Sequence, residues 1–176
     1  MDRSLRNTNS YDLVYKWFDH LKREGYYINA FVIMPNHLHA IIGFRETNKS
    51  INTIVGNGKR FLAYGIVNRL KKMGRNDILK KLSFGVVGSD HLRGKFHNVW
   101  EDSFCWKECV TPMFLTQKLN YIHFNPCQTK RRLVNNPSTY IHSSAGYYLE
   151  GHSCIYPVTH YSEMNCIDLS AGFDGR

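Results

Sequence analysis

In residues 11–24, YDLVYKWFDHLKRE, the apolar positions Leu13, Val14, Trp17, Phe18 and Leu21 have the spacing of one helical face, and Gly25 follows as a stop. From residue 26 to 44 the pattern becomes extended. The stretch FVIMPNHLHAIIGF (31–44) is apolar at both ends, and Pro35-Asn36 predicts a turn or bulge before a second strand over 37–44. Residues 50–73 return to a helical period, with Phe61, Leu62, Ile66, Leu70 and Met73 as the apolar stripe and GNG (56–58) as a weak point. A short helix is expected at 77–82, then strands at FGVV (84–87) and FHNVWEDSF (96–104) around a loop containing Gly and His. Thr111-Pro112 opens a further helix with a hydroxyl cap and a proline in the first turn. It runs to about residue 125, where Asn125-Pro126 ends it. Beyond 135 the chain is rich in Ser, Tyr, Gly and Asn and reads as irregular with short elements. No internal repeat or low-complexity tract interrupts this order.

Two places carry chemistry-bearing side chains at informative spacing. On a strand, residues two apart share a face, so His37 and His39 project together while Leu38 and Ala40 face the other way. Paired neutral imidazoles are a half-site for a divalent metal, although a single core histidine is more often structural. In the helix at 119–126, LNYIHFNP, Tyr121 and Asn125 lie four apart on one face, and Leu115, Leu119 and Ile122 form the packed side. An amide oxygen is a hard ligand, and a phenol is a nucleophile once activated. A tyrosine there is otherwise a boundary aromatic. Pro126 biases Asn125 away from helical geometry, which would carry its amide away from any such site.

Charge adds a partner. Lys and Arg total 23 against 14 Asp and Glu, a formal charge of +9, which favours a polyanion, most commonly nucleic acid. Lys59, Arg60, Arg69, Lys71, Lys72 and Arg75 populate the polar side of the 50–73 helix and its end, as a phosphate-contacting or a merely solvated face. Trp100, Trp106 and Tyr64 are candidates for base stacking or for core packing. Five cysteines form no CxxC pair, so reduced thiols are expected, with Cys105, Cys109 and His97 a weak zinc candidate. No apolar run approaches the about 20 residues of a membrane span, and the N-terminus lacks the apolar core of a signal peptide, so a cytoplasmic location is expected.

VIMPNHLHAII followed some eighty residues later by LNYIHFNP resembles the single-tyrosine HUH transposases, and among them the REP-associated tyrosine transposases. VWEDSF (99–104) and STYIHSSAGYYLEG (138–151) resemble the same branch, and the likeness covers roughly 10–150, leaving 151–176 as an irregular C-terminal tail. The resemblance implies an α+β, ferredoxin-like or RRM-like antiparallel sheet with helices packed on it. Its first strand would here be missing or replaced by another segment, because MDRSLRNTNS has almost no β pattern. An uncovered sheet edge would follow, unless a segment or a partner chain covers it.

By the same resemblance, His37, His39 and Asn125 would hold Mg²⁺ or Mn²⁺, and Tyr121 would be the nucleophile. His123, inside the same run, should face away from Tyr121 and is left out of the core site. The implied activity is cleavage of single-stranded, hairpin-bearing DNA (REP-like or element-end sequences) through a 5′-phosphotyrosine intermediate, and rejoining of strands. The implied assembly is a monomer or a homodimer. The alternatives are a domesticated, catalytically inactive hairpin-binding protein and an RRM-like RNA-binding fold, whose aromatic strand motifs are not evident.

Overall fold

The computed structural model describes residues 8–86, 88–92, 94–101, 104–128 and 132–170. It divides into two compact units: the chain up to Trp17 with Lys49–Trp106, and Phe18–Asn48 with Lys107 onward. Helix α1 (Tyr11–Arg23) buries Leu13, Val14, Trp17, Phe18 and Leu21. No helix among the described residues is long and apolar enough to cross a membrane.

In the first unit, α2 (Ile51–Lys72) packs on α3 (Asn76–Phe84), and a four-residue α4 (Gly88–His91) follows. Ser50 caps α2, its hydroxyl accepting from the Thr53 amide at 3.2 Å. The helix runs unbroken through GNG, contrary to the expected weak point. Gly58 is buried there because the Trp17 indole lies against it: a Cβ would come within 2.4 Å of the ring. Gly65 plays the same part for Leu13, at 2.7 Å. The buried stripe is therefore Ile54, Gly58, Leu62, Ile66 and Leu70, one residue in four, with Val67 beside it. Phe61 and Met73, expected in it, are 46% and 51% exposed. Phe61 is rotated by about 100° from Leu62, and Met73 lies past the last helical turn.

The two strand candidates of this unit are corrected. Phe84 closes α3 and Gly85 caps it. Residues 96–101 are not strand either. The Asn98 amide donates to Leu82 O at 2.8 Å and Asn98 Nδ2 to Gly85 O at 3.2 Å, so this segment satisfies carbonyls at the end of α3. Val87, Asp102 and Ser103, parts of those candidates, lie outside the described residues.

The second unit holds an antiparallel hairpin, β1 (Tyr27–Ile33) and β2 (Leu38–Gly43), with α5 (Pro112–Phe124) packed on both strands. A short α6 (Ala145–Glu150) and 3₁₀ turns at Asn125–Cys127, Pro137–Thr139 and Tyr161–Cys166 complete it. The α+β class stands, with helices on an antiparallel sheet that has two strands among the described residues. Ile28 pairs with Ile42 and Ala30 with Ile41, which leaves Asn29 as a bulge. Its side-chain amide donates to Thr159 O at 3.0 Å. Phe18, Phe31 and Tyr156 form an aromatic cluster, with Phe18 5.6 Å from Phe31 and 5.3 Å from Tyr156 between ring centroids.

The edge of β1 that β2 leaves open is covered by the chain beyond residue 139. The Ile33 amide donates to His142 O at 2.8 Å, and the Ser144 amide to Phe31 O at 3.0 Å. The Phe31 amide donates to Ser144 Oγ at 3.0 Å, and Tyr140 OH to Ile33 O at 2.9 Å. Further along, the Thr159 amide donates to Ile28 O at 2.9 Å. Among the described residues one ladder-type bridge, Val32 with Ser143, forms along this edge, so an irregular segment satisfies its polar groups by mixing backbone and hydroxyl bonds. A segment of this chain thus lies along that edge; residues 1–7, on which the expectation of a missing first strand falls, lie outside the described residues.

Candidate active site

The hairpin turn sets the two histidines. The Met34 amide donates to His37 O at 2.8 Å, closing the loop over Pro35 and Asn36 where the sequence predicts a turn. Val32 stands opposite His39 in the ladder and packs with Met34 and Ile122 of α5, with Ile41 and Tyr140 at the rim. Cross-strand partners share a face, so His39 points toward α5, and His37, two residues earlier, points with it. Their ring centroids are 4.9 Å apart at 74°.

Helix α5 brings the other two side chains. Thr111 caps it, its hydroxyl accepting from the Phe114 amide at 3.2 Å. Leu119 and Ile122 are buried on the sheet side, Leu115 half-buried. Tyr121, on the flank, is 49% exposed, and its ring lies 5.2 Å from that of His39 at 76°. Asn125 keeps helical geometry, φ −54° and ψ −42°, although proline follows. The helix tightens to 3₁₀ at this point, and Pro126 O accepts from the amide of Leu133 at 2.8 Å, so the pre-proline bias does not prevail here. The amide of Asn125 is thus buried, with Oδ1 3.2 Å from His37 Nε2. The four residues expected to share a site lie together around the two rings.

The donor chemistry fits a hard divalent cation. Burial, reinforced by the neighbouring His37, holds His39 down at about 4, so its ring is neutral at pH 7 with a lone pair to give. His37 has an amide oxygen at each nitrogen: Asn125 Oδ1 at Nε2, and Asn36 Oδ1 2.8 Å from Nδ1. A neutral imidazole donates only one proton, so with both amide oxygens facing the ring one of these contacts lacks a hydrogen, which a cation at Nε2 would supply. Among the described residues no three His, Cys, Asp or Glu side chains converge, and here the third donor is an amide.

His123 belongs to the scaffold. It is buried, its Nε2 lies 2.9 Å from Ser144 Oγ, and burial lowers it to about 4. It ties α5 to the segment that covers β1. The five cysteines are free thiols.

The six basic candidates of the first unit divide by their partners. Arg69 is bidentate to Asp12 at 2.7 and 2.9 Å and reaches Asn9 O at 2.6 Å, and this guanidinium holds the Asp12 carboxyl below its usual range. Arg75 pairs with Asp77 at 2.9 Å, and Lys59 donates to Glu101 O. Arg60, Lys71 and Lys72 are exposed, as are Phe61 and Tyr64, and these residues recur at helical spacing along α2. Trp106 is 51% exposed, whereas Trp100 is half-buried. Sequence reasoning missed Asn36 as a site neighbour; its signal was an amide in the turn immediately before the first histidine. No family model, curated protein or solved structure matches the chain.

Proposed function

We propose that this protein is a metal-dependent single-strand DNA nicking and joining enzyme, a transposase of the single-tyrosine HUH type. The observation that supports it is the meeting of two imidazoles, an amide and a phenol: His37 Nε2 is 3.2 Å from Asn125 Oδ1, and the rings of His39 and Tyr121 are 5.2 Å apart. His37, His39 and Asn125 would hold Mn²⁺ or Mg²⁺, with the nitrogen ligands favouring Mn²⁺. The ion, when bound, would polarise the scissile phosphate and neutralise developing charge.

The residues of the chain do the rest. Tyr121, half in solvent, presents its oxygen to phosphorus. The exposed phenol gives its proton to solvent, the O–P bond forms as the bond to the 3′-oxygen breaks, and that oxygen takes a proton from solvent and leaves as a hydroxyl. A 5′-phosphotyrosine remains on Tyr121, and attack by a 3′-hydroxyl reverses the step and joins strands. Asn125 stays fixed by its burial at the end of α5. The exposed Arg60, Lys71 and Lys72, with Phe61 and Tyr64 between them, suit a backbone and stacked bases.

The test is incubation with hairpin-bearing single-stranded DNA and Mn²⁺, followed by denaturing electrophoresis. A covalent adduct that Tyr121→Phe abolishes is expected. Tight binding without an adduct overturns the enzymatic reading and favours the inactive hairpin-binding protein. Equal preference for unstructured RNA overturns both and points to an RNA-binding fold.

A further inference from the structure

We propose that Asn36 is a positioning residue: its Oδ1 holds the His37 ring as the Nδ1–H tautomer and leaves Nε2 as the lone pair for a divalent cation. This rests on the metal-site reading above.

Three observations carry it. Asn36 Oδ1 is 2.8 Å from His37 Nδ1, shorter than the 3.2 Å between His37 Nε2 and Asn125 Oδ1, so the single proton of a neutral ring belongs at Nδ1. The backbone enforces the contact. Pro35 restricts the turn, the Met34 amide clamps it to His37 O, and Asn36 directly precedes the ring it holds. Finally, the two facing acceptors at Nε2 and Asn125 Oδ1 are reconciled when both lone pairs turn to one cation, and only the Nδ1–H tautomer permits this. Imidazole ligands are ordinarily fixed in this way by an acceptor on the far nitrogen, commonly a carboxylate or a carbonyl. Here a side-chain amide has that place.

The proton is read in the metal-free protein at pH 7 by long-range ¹H–¹⁵N NMR, with the His37 signals assigned by their loss in His37→Gln. Mn²⁺ affinity is measured separately by electron paramagnetic resonance titration of wild type, Asn36→Leu and Asn36→Asp. The expected tautomer of the neutral wild-type ring is Nδ1–H. Asn36→Leu should move the proton toward Nε2 and weaken Mn²⁺ binding about 10- to 100-fold. Asn36→Asp, which keeps an acceptor oxygen, should preserve the tautomer and stay within about threefold of wild type. A neutral wild-type ring found as Nε2–H overturns the proposal, as does a Leu variant that binds Mn²⁺ like wild type. The wild-type tautomer needs no variant to fold. Absence of His37-dependent Mn²⁺ binding sinks the metal-site reading itself; an Nε2–H ring in a protein that does bind Mn²⁺ sinks only the role of Asn36.

Discussion

Ser144→Ala removes one oxygen from the segment that covers the open edge of β1. That oxygen accepts from the Phe31 amide at 3.0 Å and lies 2.9 Å from His123 Nε2. Phe31 O loses little, because it still accepts from the Ser144 amide at 3.0 Å and from Ser143 Oγ at 3.3 Å. The cost therefore falls on two buried groups, the Phe31 amide and the His123 ring. At about 1–3 kcal/mol for each buried polar group that loses its partner, destabilisation of about 2–6 kcal/mol is expected. That is a large share of a typical total of about 5–15 kcal/mol. Urea denaturation followed by circular dichroism measures it. A cycle with His123→Leu isolates the histidine contact and should show coupling of about 1 kcal/mol. A loss below about 1 kcal/mol for Ser144→Ala, or strict additivity in the cycle, would refute the bond accounting along β1.

Gly58→Ala should destabilise despite the better helix propensity of alanine, because its Cβ meets the buried Trp17 indole at 2.4 Å; overpacking of about 1–3 kcal/mol outweighs a gain of about 1. Gly56→Ala, with nothing within 4 Å of its Cβ, should be neutral or stabilising, and thermal melts of the pair check both signs. Stability should fall as pH drops from 6.5 toward about 4, because the unfolded chain takes up protons that folded His123 refuses. The shift corresponds to about 3 kcal/mol for His123, fully present above pH 6.5 and lost below the folded value. His39 acts in the same direction, discounted for its partial exposure, and denaturant midpoints across this range report the sum. Lys71→Gln and Lys72→Gln should each weaken binding to single-stranded DNA and lower the salt-dependence slope by about 0.7, whereas Arg69→Gln should cost about 1 kcal/mol of stability through Asp12. Fluorescence anisotropy at several salt concentrations, with melts beside it, separates the two classes.

What the sequence revealed was local. The face of α1, the Pro35-Asn36 turn, the cap at Thr111 and the end of α5 all follow from periodicity and from residues that act on their immediate neighbours. The shared face of His37 and His39 is likewise a two-residue argument. What was hidden depends on contacts between distant residues. GNG reads as a weak helix until the Trp17 indole is seen lying on Gly58. Arg69 reads as a free cation until Asp12, 57 residues away, takes both ends of its guanidinium. Phe96–Trp100 has β-forming composition, yet Asn98 spends its hydrogen bonds on the end of α3. The cover of β1 comes from a Ser- and Tyr-rich segment with no strand pattern, because hydroxyls there replace ladder bonds. Asn125 shows the converse, a local proline rule overruled by burial.

Pulsed electron paramagnetic resonance of Mn²⁺ bound to ¹⁵N-histidine-labelled protein tests the shared metal site directly. Hyperfine couplings from two imidazole nitrogens are predicted, one vanishing in His37→Gln and the other in His39→Gln. Mn²⁺ that shows no histidine coupling, or couplings that persist in both variants, would contradict a site built from these two rings.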